Sequence, residues 1–247
     1  MLRSVVGPVR PARTLAALGL AATLSTALLT GCSGDDDGGS GPAADDQTPE
    51  EVLAAAKTAF DETSGLSIRL STDDLPEGVT GIVDAAGTGT HAPAFEGSLT
   101  VRIFGQEAEV PVVAVDDKVF AQLPLTNGWQ DIDPTEYGAP DPADLMSPER
   151  GFSALLPATT GVEEGESVRG GEKNDQVLTE YTGTVPDTAV ANVIPGASGD
   201  FDATYTVDDD GLLTSAVLTG VFYADSPSMT YTIDFADYGT EQDITAP

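Results

Sequence analysis

For chemistry, the 247-residue chain offers one cysteine, one histidine and 41 acidic side chains against ten basic ones. Cys32 has the clearest setting. It closes Leu29-Thr30-Gly31-Cys32, where small residues let the backbone enter a signal peptidase and the thiol can accept a diacylglycerol. Upstream stand Arg3, Arg10 and Arg13 without any acidic residue, then an apolar run from Thr14 to Leu29. A charged leader, an apolar segment and small cleavage-site residues in that order mark an export signal. The apolar run is 16 residues, short of the ~20 that a membrane span needs. Residues 1–31 are therefore expected to be a lipoprotein signal peptide, cut between Gly31 and Cys32. Cys32 then becomes the lipidated first residue of the mature chain. Two or more acyl chains anchor firmly, which places the protein on the outer face of the cytoplasmic membrane. As the only cysteine, Cys32 leaves no disulfide and no thiolate metal site.

The remaining candidates are weak. His91 sits in the turn region from Gly87 to Pro93 and is expected to be an exposed loop residue. A zinc site needs further ligands, and no Gly-x-Ser-x-Gly elbow exists to make the histidine part of a hydrolase triad. No P-loop and no Gly-x-Gly-x-x-Gly is present. Asp131, Asp133, Asp141 and Asp144 could offer oxygen to a hard cation, but their spacing matches no regular calcium loop. Asp208-Asp209-Asp210-Gly211 reads as turn chemistry. Paired carboxylates for glycoside hydrolysis cannot be picked out, and Trp129 is the only tryptophan for sugar stacking. Neither catalysis nor a metal or cofactor is expected.

Charge narrows the partners. The first 31 residues hold three of the ten basic side chains and no acidic one, which leaves the rest at about −34. Such a surface repels nucleic acid and anionic headgroups. Residues 32–47 comprise Cys32 and an acidic Gly/Ser/Ala tether without a large apolar side chain, which cannot pack and is expected to be disordered. As a coil its 15 residues after Cys32 span roughly 20 Å, and fully stretched ~50 Å.

Residues 48–247 suit one β-rich domain. Thr48-Pro49-Glu50-Glu51 is a helix start with a Thr cap, Pro at the first position and Glu at the third. Val52, Ala55, Ala56, Ala59 and Phe60 fall on one face of this helix, and Gly65 ends it. Apolar residues then alternate: Ile68 and Leu70; Leu99, Val101 and Ile103; Phe201 to Val207; Met229, Tyr231, Ile233 and Phe235. Val110 to Val115 and Val119 to Leu123 flank Asp116-Asp117-Lys118 as a hairpin. Asp141-Pro142, Ser147-Pro148 and Pro186 to Ile194 read as short helices. The expected fold class is α+β: a curved antiparallel sheet, or half-open β-barrel, with helices over its concave apolar face.

These features together resemble the actinobacterial LppX/LprA/LprF/LprG lipoprotein family. The resemblance is carried by Phe95-Glu96-Gly97-Ser98-Leu99 running into Val101 to Gly105, and by Val112 to Leu123. It extends to Gly128-Trp129-Gln130-Asp131-Ile132-Asp133-Pro134 with Tyr137, to Asp141-Pro142, to Gly151 to Leu156, and to the C-terminal Ile244 to Pro247. It implies a LolA/LolB-like lipid-carrier fold whose space between sheet and helices holds acyl chains of a lipid or glycolipid. It further implies transport across the envelope, a major-facilitator exporter as partner, and no catalysis. A cavity for tails needs apolar walls and a mouth. The apolar phase of the elements gives Phe60, Ile68, Leu70, Leu99, Val101, Ile103, Val112, Phe120, Leu155, Leu156, Tyr205, Val217, Tyr231 and Ile233 as its candidate lining. The acidic segment from Asp131 to Asp144 is the candidate rim, and a monomer is expected. The competing reading is a non-carrier adaptor lipoprotein for an exporter or cell-wall machinery, with the same residues filling a dry core.

Overall fold

The computed structural model describes residues 47–171 and 174–247. The signal peptide, the Gly31–Cys32 cleavage site and the tether before Gln47 lie outside the described residues. Helix α1 (Pro49–Glu62) begins as its sequence dictates. The Thr48 hydroxyl accepts from the Glu51 amide, and the Thr48 amide donates to the Glu51 carboxylate at 2.9 Å. Leu53, Ala56 and Phe60 form its buried stripe, while Ala55 faces solvent.

The described strands form one antiparallel sheet of eleven: β1 (Gly65–Ser71), β2 (Gly81–Thr90), β3 (Ala94–Ile103), β4 (Gln106–Val115), β5 (Lys118–Ala121), β6 (Gln130–Ile132), β7 (Thr160–Gly170), β8 (Gln176–Val185), β9 (Ser198–Asp208), β10 (Leu213–Val221) and β11 (Met229–Ala236). Two meanders, β1 to β6 and β7 to β11, are joined where β1 pairs with β11. That junction places Ile68 opposite Phe235 and Leu70 opposite Ile233. It follows that β6 and β7, neighbours along the chain, lie at opposite edges of the sheet. The segment between them, residues 133–159, must cross a whole sheet face. It does so as short 3₁₀ turns (Pro134–Tyr137, Pro142–Met146, Phe152–Ala154) and helix α2 (Leu155–Ala158). Ser147-Pro148 does not open a helix, and regular structure resumes only at Phe152. A further short helix, α3 (Asp187–Val190), joins β8 to β9.

Side-chain size divides the covered face. Beneath α1, α2 and α3 the core holds Phe60, Phe152, Phe201, Tyr205, Phe222, Tyr231 and Phe235. Their rings meet edge-on or tilted, with centroids 4.8 to 5.5 Å apart for Phe60–Phe235, Phe152–Phe235, Phe201–Phe222 and Phe222–Tyr231. Such aromatic pairs add stability beyond area burial. Lys57 and Asp61 pair on α1, and the Asp61 carboxylate accepts from the buried Ser153 hydroxyl at 2.6 Å, pinning α1 to the crossover. The sheet's other half, β3 to β5, carries only one aromatic in its core cluster, Phe95, beside Val110, Val112, Ala114, Val119 and Ala121. On its reverse face Phe120 and Trp129 pack against Ala94, Val113 and Ile244 of the C-terminal tail.

An apolar cavity as the candidate functional site

Small side chains on β2 to β5, under a crossover made of 3₁₀ turns, leave space. A cavity of about 290 Å³ lies there. Its floor is Ile68 and Leu70 of β1, Ile82 and Ala85 of β2, Phe95, Leu99, Val101 and Ile103 of β3, Val110 and Val112 of β4, and Val119 and Ala121 of β5. Its roof is the crossover, from Pro134 through Tyr137, Pro140 and Pro142 to Leu145 and Phe152, with Val193, Ile194 and Pro195 after α3. Prolines suit a roof of this kind, because they lack the amide that an apolar wall cannot satisfy.

Polar atoms at this wall are few and paired. The Tyr231 hydroxyl donates to the Ile82 carbonyl at 2.6 Å, and lies 2.8 Å from the Tyr223 hydroxyl, which accepts from the Ile82 amide at 3.2 Å. The two tyrosines thus close a ring on the amide and carbonyl of a single β2 residue, where the register slips between Ile82 and Asp84. Burial, followed by the Tyr223 hydroxyl, pushes the Tyr231 phenol far above its ordinary range. Among the described residues, no buried side-chain nitrogen or oxygen lacks a partner. Tyr231→Phe would leave the Ile82 carbonyl and the Tyr223 hydroxyl short of a partner. A loss of ~1–3 kcal/mol in stability is expected, read as a lower denaturant midpoint at unchanged slope.

The candidate residues named from sequence divide three ways. Ile68, Leu70, Leu99, Val101, Ile103, Val112 and Tyr231 stand on the cavity wall. Phe60, Leu155, Leu156, Tyr205 and Ile233 are buried in the filled core instead, because bulky aromatics and the helices occupy that half of the face. Phe120 and Val217 face the other side. The two-residue turn at Asp116–Asp117 sets Val112 opposite Ala121 and Val113 opposite Phe120, so Phe120 shares the outer face with Val113. A register slip between Leu213 and Ser215 puts Ala216 and Leu218, not Val217, in the buried phase. The wall residues that sequence reasoning missed lie chiefly on the crossover between Pro134 and Phe152, which has no strand alternation to read, and on β2, whose run of Gly, Ala and Thr carries little apolar alternation.

The weaker candidates all have structural tasks. His91 is half-buried, not an exposed loop residue: its Nε2 donates to the Phe60 carbonyl at 2.9 Å, near the end of α1. Asp131 pairs with Lys118 and Asp144 with Arg150. Asp133 caps the Pro134–Tyr137 turn and Asp141 the Pro142–Met146 turn. Burial raises the Asp141 carboxyl above its ordinary value, against the lowering effect of the Ala143 amide. Asp208 accepts from the Asp210 and Leu212 amides within its own turn.

Comparison with known proteins agrees with this architecture. The LppX_LprAFG lipoprotein family model matches residues 48–245. The lipoarabinomannan carrier protein LprG of Mycolicibacterium hassiacum is 28% identical over 237 residues, covering 92% of this chain and 96% of the relative. The crystal structure of LprF from Mycobacterium bovis superposes with a TM-score of 0.63 at 11% identity, covering 81% of this chain and 96% of that one. That of LppX from Mycobacterium tuberculosis gives 0.58 at 17% identity, covering 80% and 98%. At these identities the two structures speak for the fold, a curved open antiparallel sheet with few helices. With the match spanning nearly all the described residues, the chain belongs to the LppX_LprAFG lipoprotein family.

Proposed function

We propose that this protein is a lipid carrier of the cell envelope, lipidated at Cys32 on the outer face of the cytoplasmic membrane. It takes the acyl tail of a lipid or glycolipid into the cavity and carries it without chemical change. The observation that carries the reading is the apolar cavity of about 290 Å³. The cavity is open at its mouth, so without an occupant its almost wholly apolar wall faces water, at ~25 cal/mol for each Å² that a tail would cover. A sequence that keeps such a hollow, when a few larger side chains would close it, keeps it for an occupant. The space accommodates roughly ten to twenty methylene-sized groups, or about one acyl chain. Ile68, Leu70, Leu99, Val101, Val112 and Tyr231 are the proposed contacts of the tail, with Ile103 at the mouth. The name of the Mycolicibacterium relative, a lipoarabinomannan carrier, supports a cargo of lipid class.

Native mass spectrometry of the protein purified without detergent tests the reading. Adducts with the mass of a whole lipid, about one lipid per chain, are expected. A protein that remains free of adduct after incubation with phosphatidylcholine vesicles counts against it.

A further inference from the structure

Seven described non-glycine residues adopt positive φ. Five are Asp116, Asp117, Asn174, Asp225 and Asp237, of the two residue types that tolerate left-handed backbone best after glycine. The other two are Phe104 (φ 51°) and Leu125 (φ 68°). Phe104 opens the two-residue turn between β3 and β4, with Gly105 also at positive φ, a position that favours Asn, Asp or Gly. Leu125 follows Pro124 in the turn closed by the Thr126 amide on the Leu123 carbonyl, in the slot that such turns keep for Gly or Asn. These two side chains are also the most exposed large hydrophobics among the described residues, at 94% and 106% of full exposure. The chain thus places a bulky apolar group where the backbone disfavours it and water disfavours it too.

Both turns lie at one end of the cavity. Ile103 is directly opposite Gln106 at the β3–β4 tip. The Gln122 amide donates to the Pro111 carbonyl, so the chain beyond it runs back along β4 toward that same tip. Ile103, Leu123 and Pro124 line the cavity, and Phe104 and Leu125 are their next neighbours along the chain. Tyr137, also a lining residue, is 60% exposed. The apolar wall is therefore continuous with these two projecting side chains.

We propose that Phe104 and Leu125 are wedges that seat the cavity mouth in the apolar layer of a lipid bilayer. The proposal rests on reading the cavity as a tail site: a tail leaving a bilayer needs an unbroken apolar path, and the two turns supply its last step. Local charge chooses the kind of surface. Arg102 is paired with Glu107 at 2.8 Å, and Glu109 and Glu136 are exposed, so nothing here draws the mouth to anionic headgroups. Insertion is hydrophobic, into a neutral surface, and insensitive to salt.

The test uses the full-length protein incorporated into phosphatidylcholine vesicles with brominated acyl chains. In a Trp129→Phe background, Phe104→Trp fluorescence should be strongly quenched, equally at low and high salt. Trp129 of the parent, packed on the outer face, should be quenched far less. Phe104→Asn with Leu125→Gly keeps both turns and relieves their backbone, so its Tm should match or exceed the parent's. This variant should take up a pyrene-labelled phosphatidylcholine from vesicles at least tenfold more slowly, yet bind a short-chain fluorescent fatty acid from water unchanged. Absence of quenching at position 104, quenching only on anionic vesicles at low salt, or equal uptake rates would overturn the proposal. So would a Phe104→Trp signal shielded without bromine quenching and released on dilution, which would mean a second copy covers the turns. A parent that binds neither probe, with the Phe104→Trp variant still quenched, upholds docking and sinks the tail-site reading instead.

Discussion

Ala85→Phe combined with Ala121→Phe is expected to abolish lipid binding while leaving the fold intact and the lipid-free protein at least as stable. Both alanines face the cavity, one from β2 and one from β5. Two phenyl rings there take the place of part of a tail. Displacing about four methylenes at ~0.8 kcal/mol each removes ~3 kcal/mol of binding, a loss of roughly 200-fold in affinity. The same rings fill a hollow whose walls lack contact partners, which offsets the cost of introducing them. Titration with a fluorescent fatty acid gives the affinity, and a thermal melt gives the stability. Unchanged affinity would mean that tails bind elsewhere. A collapse in stability would mean that the space beside these alanines is not free.

Phe60→Ala should do the reverse. Phe60 is fully buried against Phe235 and Tyr238, on the filled side of the sheet. Removing it should cost ~3–5 kcal/mol, lowering Tm by roughly 6–20 °C for a domain of this size. Its effect on the affinity of protein that remains folded should be small. Val101→Ala, on the cavity wall, is the matched control. It widens an existing hollow and should cost under about 1 kcal/mol. Thermal melts of lipid-free protein decide between the two. Equal losses would show that the line drawn between core and cavity is misplaced.

That line could not be read from the sequence, and the reason is physical. Strand alternation reports which side chains turn away from water. Leu99 and Ile233 both do so, but one meets empty space and the other meets packed side chains. The difference lies in what crosses above them: 3₁₀ turns over β3 to β5, helices and edge-on aromatics over β9 to β11. Elements with strong local signals were legible. The Thr48 cap box, the hairpin around Asp116-Asp117-Lys118 and the alternation of Met229 to Phe235 all correspond to observed elements, except that Lys118 opens β5 opposite Val115 instead of lying in the turn. Strands β2, β7 and β8 were not, since β2 is rich in Gly and Ala, β7 carries Glu163, Glu164 and Glu166 on an open edge, and β8 mixes Thr and Glu into its run. Exposed acidic side chains on an edge strand discourage pairing with other chains, and the same property hides the strand from a hydrophobic pattern. Phe120 is an instructive case. Counting register back from the two-residue turn would have placed it on the outer face, whereas alternation within β5 alone could not say which phase points in.

Pairing of β1 with β11 at the centre of the sheet also sets the timetable of biogenesis. About 160 residues separate the two strands, so at ~5–20 residues per second β1 waits roughly 8–30 s for its second neighbour. Until then the first meander has an open inner edge and an incomplete core to close on, because β9, β10 and β11 supply a large share of it, with Phe201, Tyr205, Leu218, Tyr231 and Phe235. A nascent chain cannot lock shut early, and it stays threadable until its final strand emerges. For the exported lipoprotein proposed above, late closure of this sort would be an asset at a narrow translocation pore, and a truncation before Met229 should prevent folding, not merely trim an end.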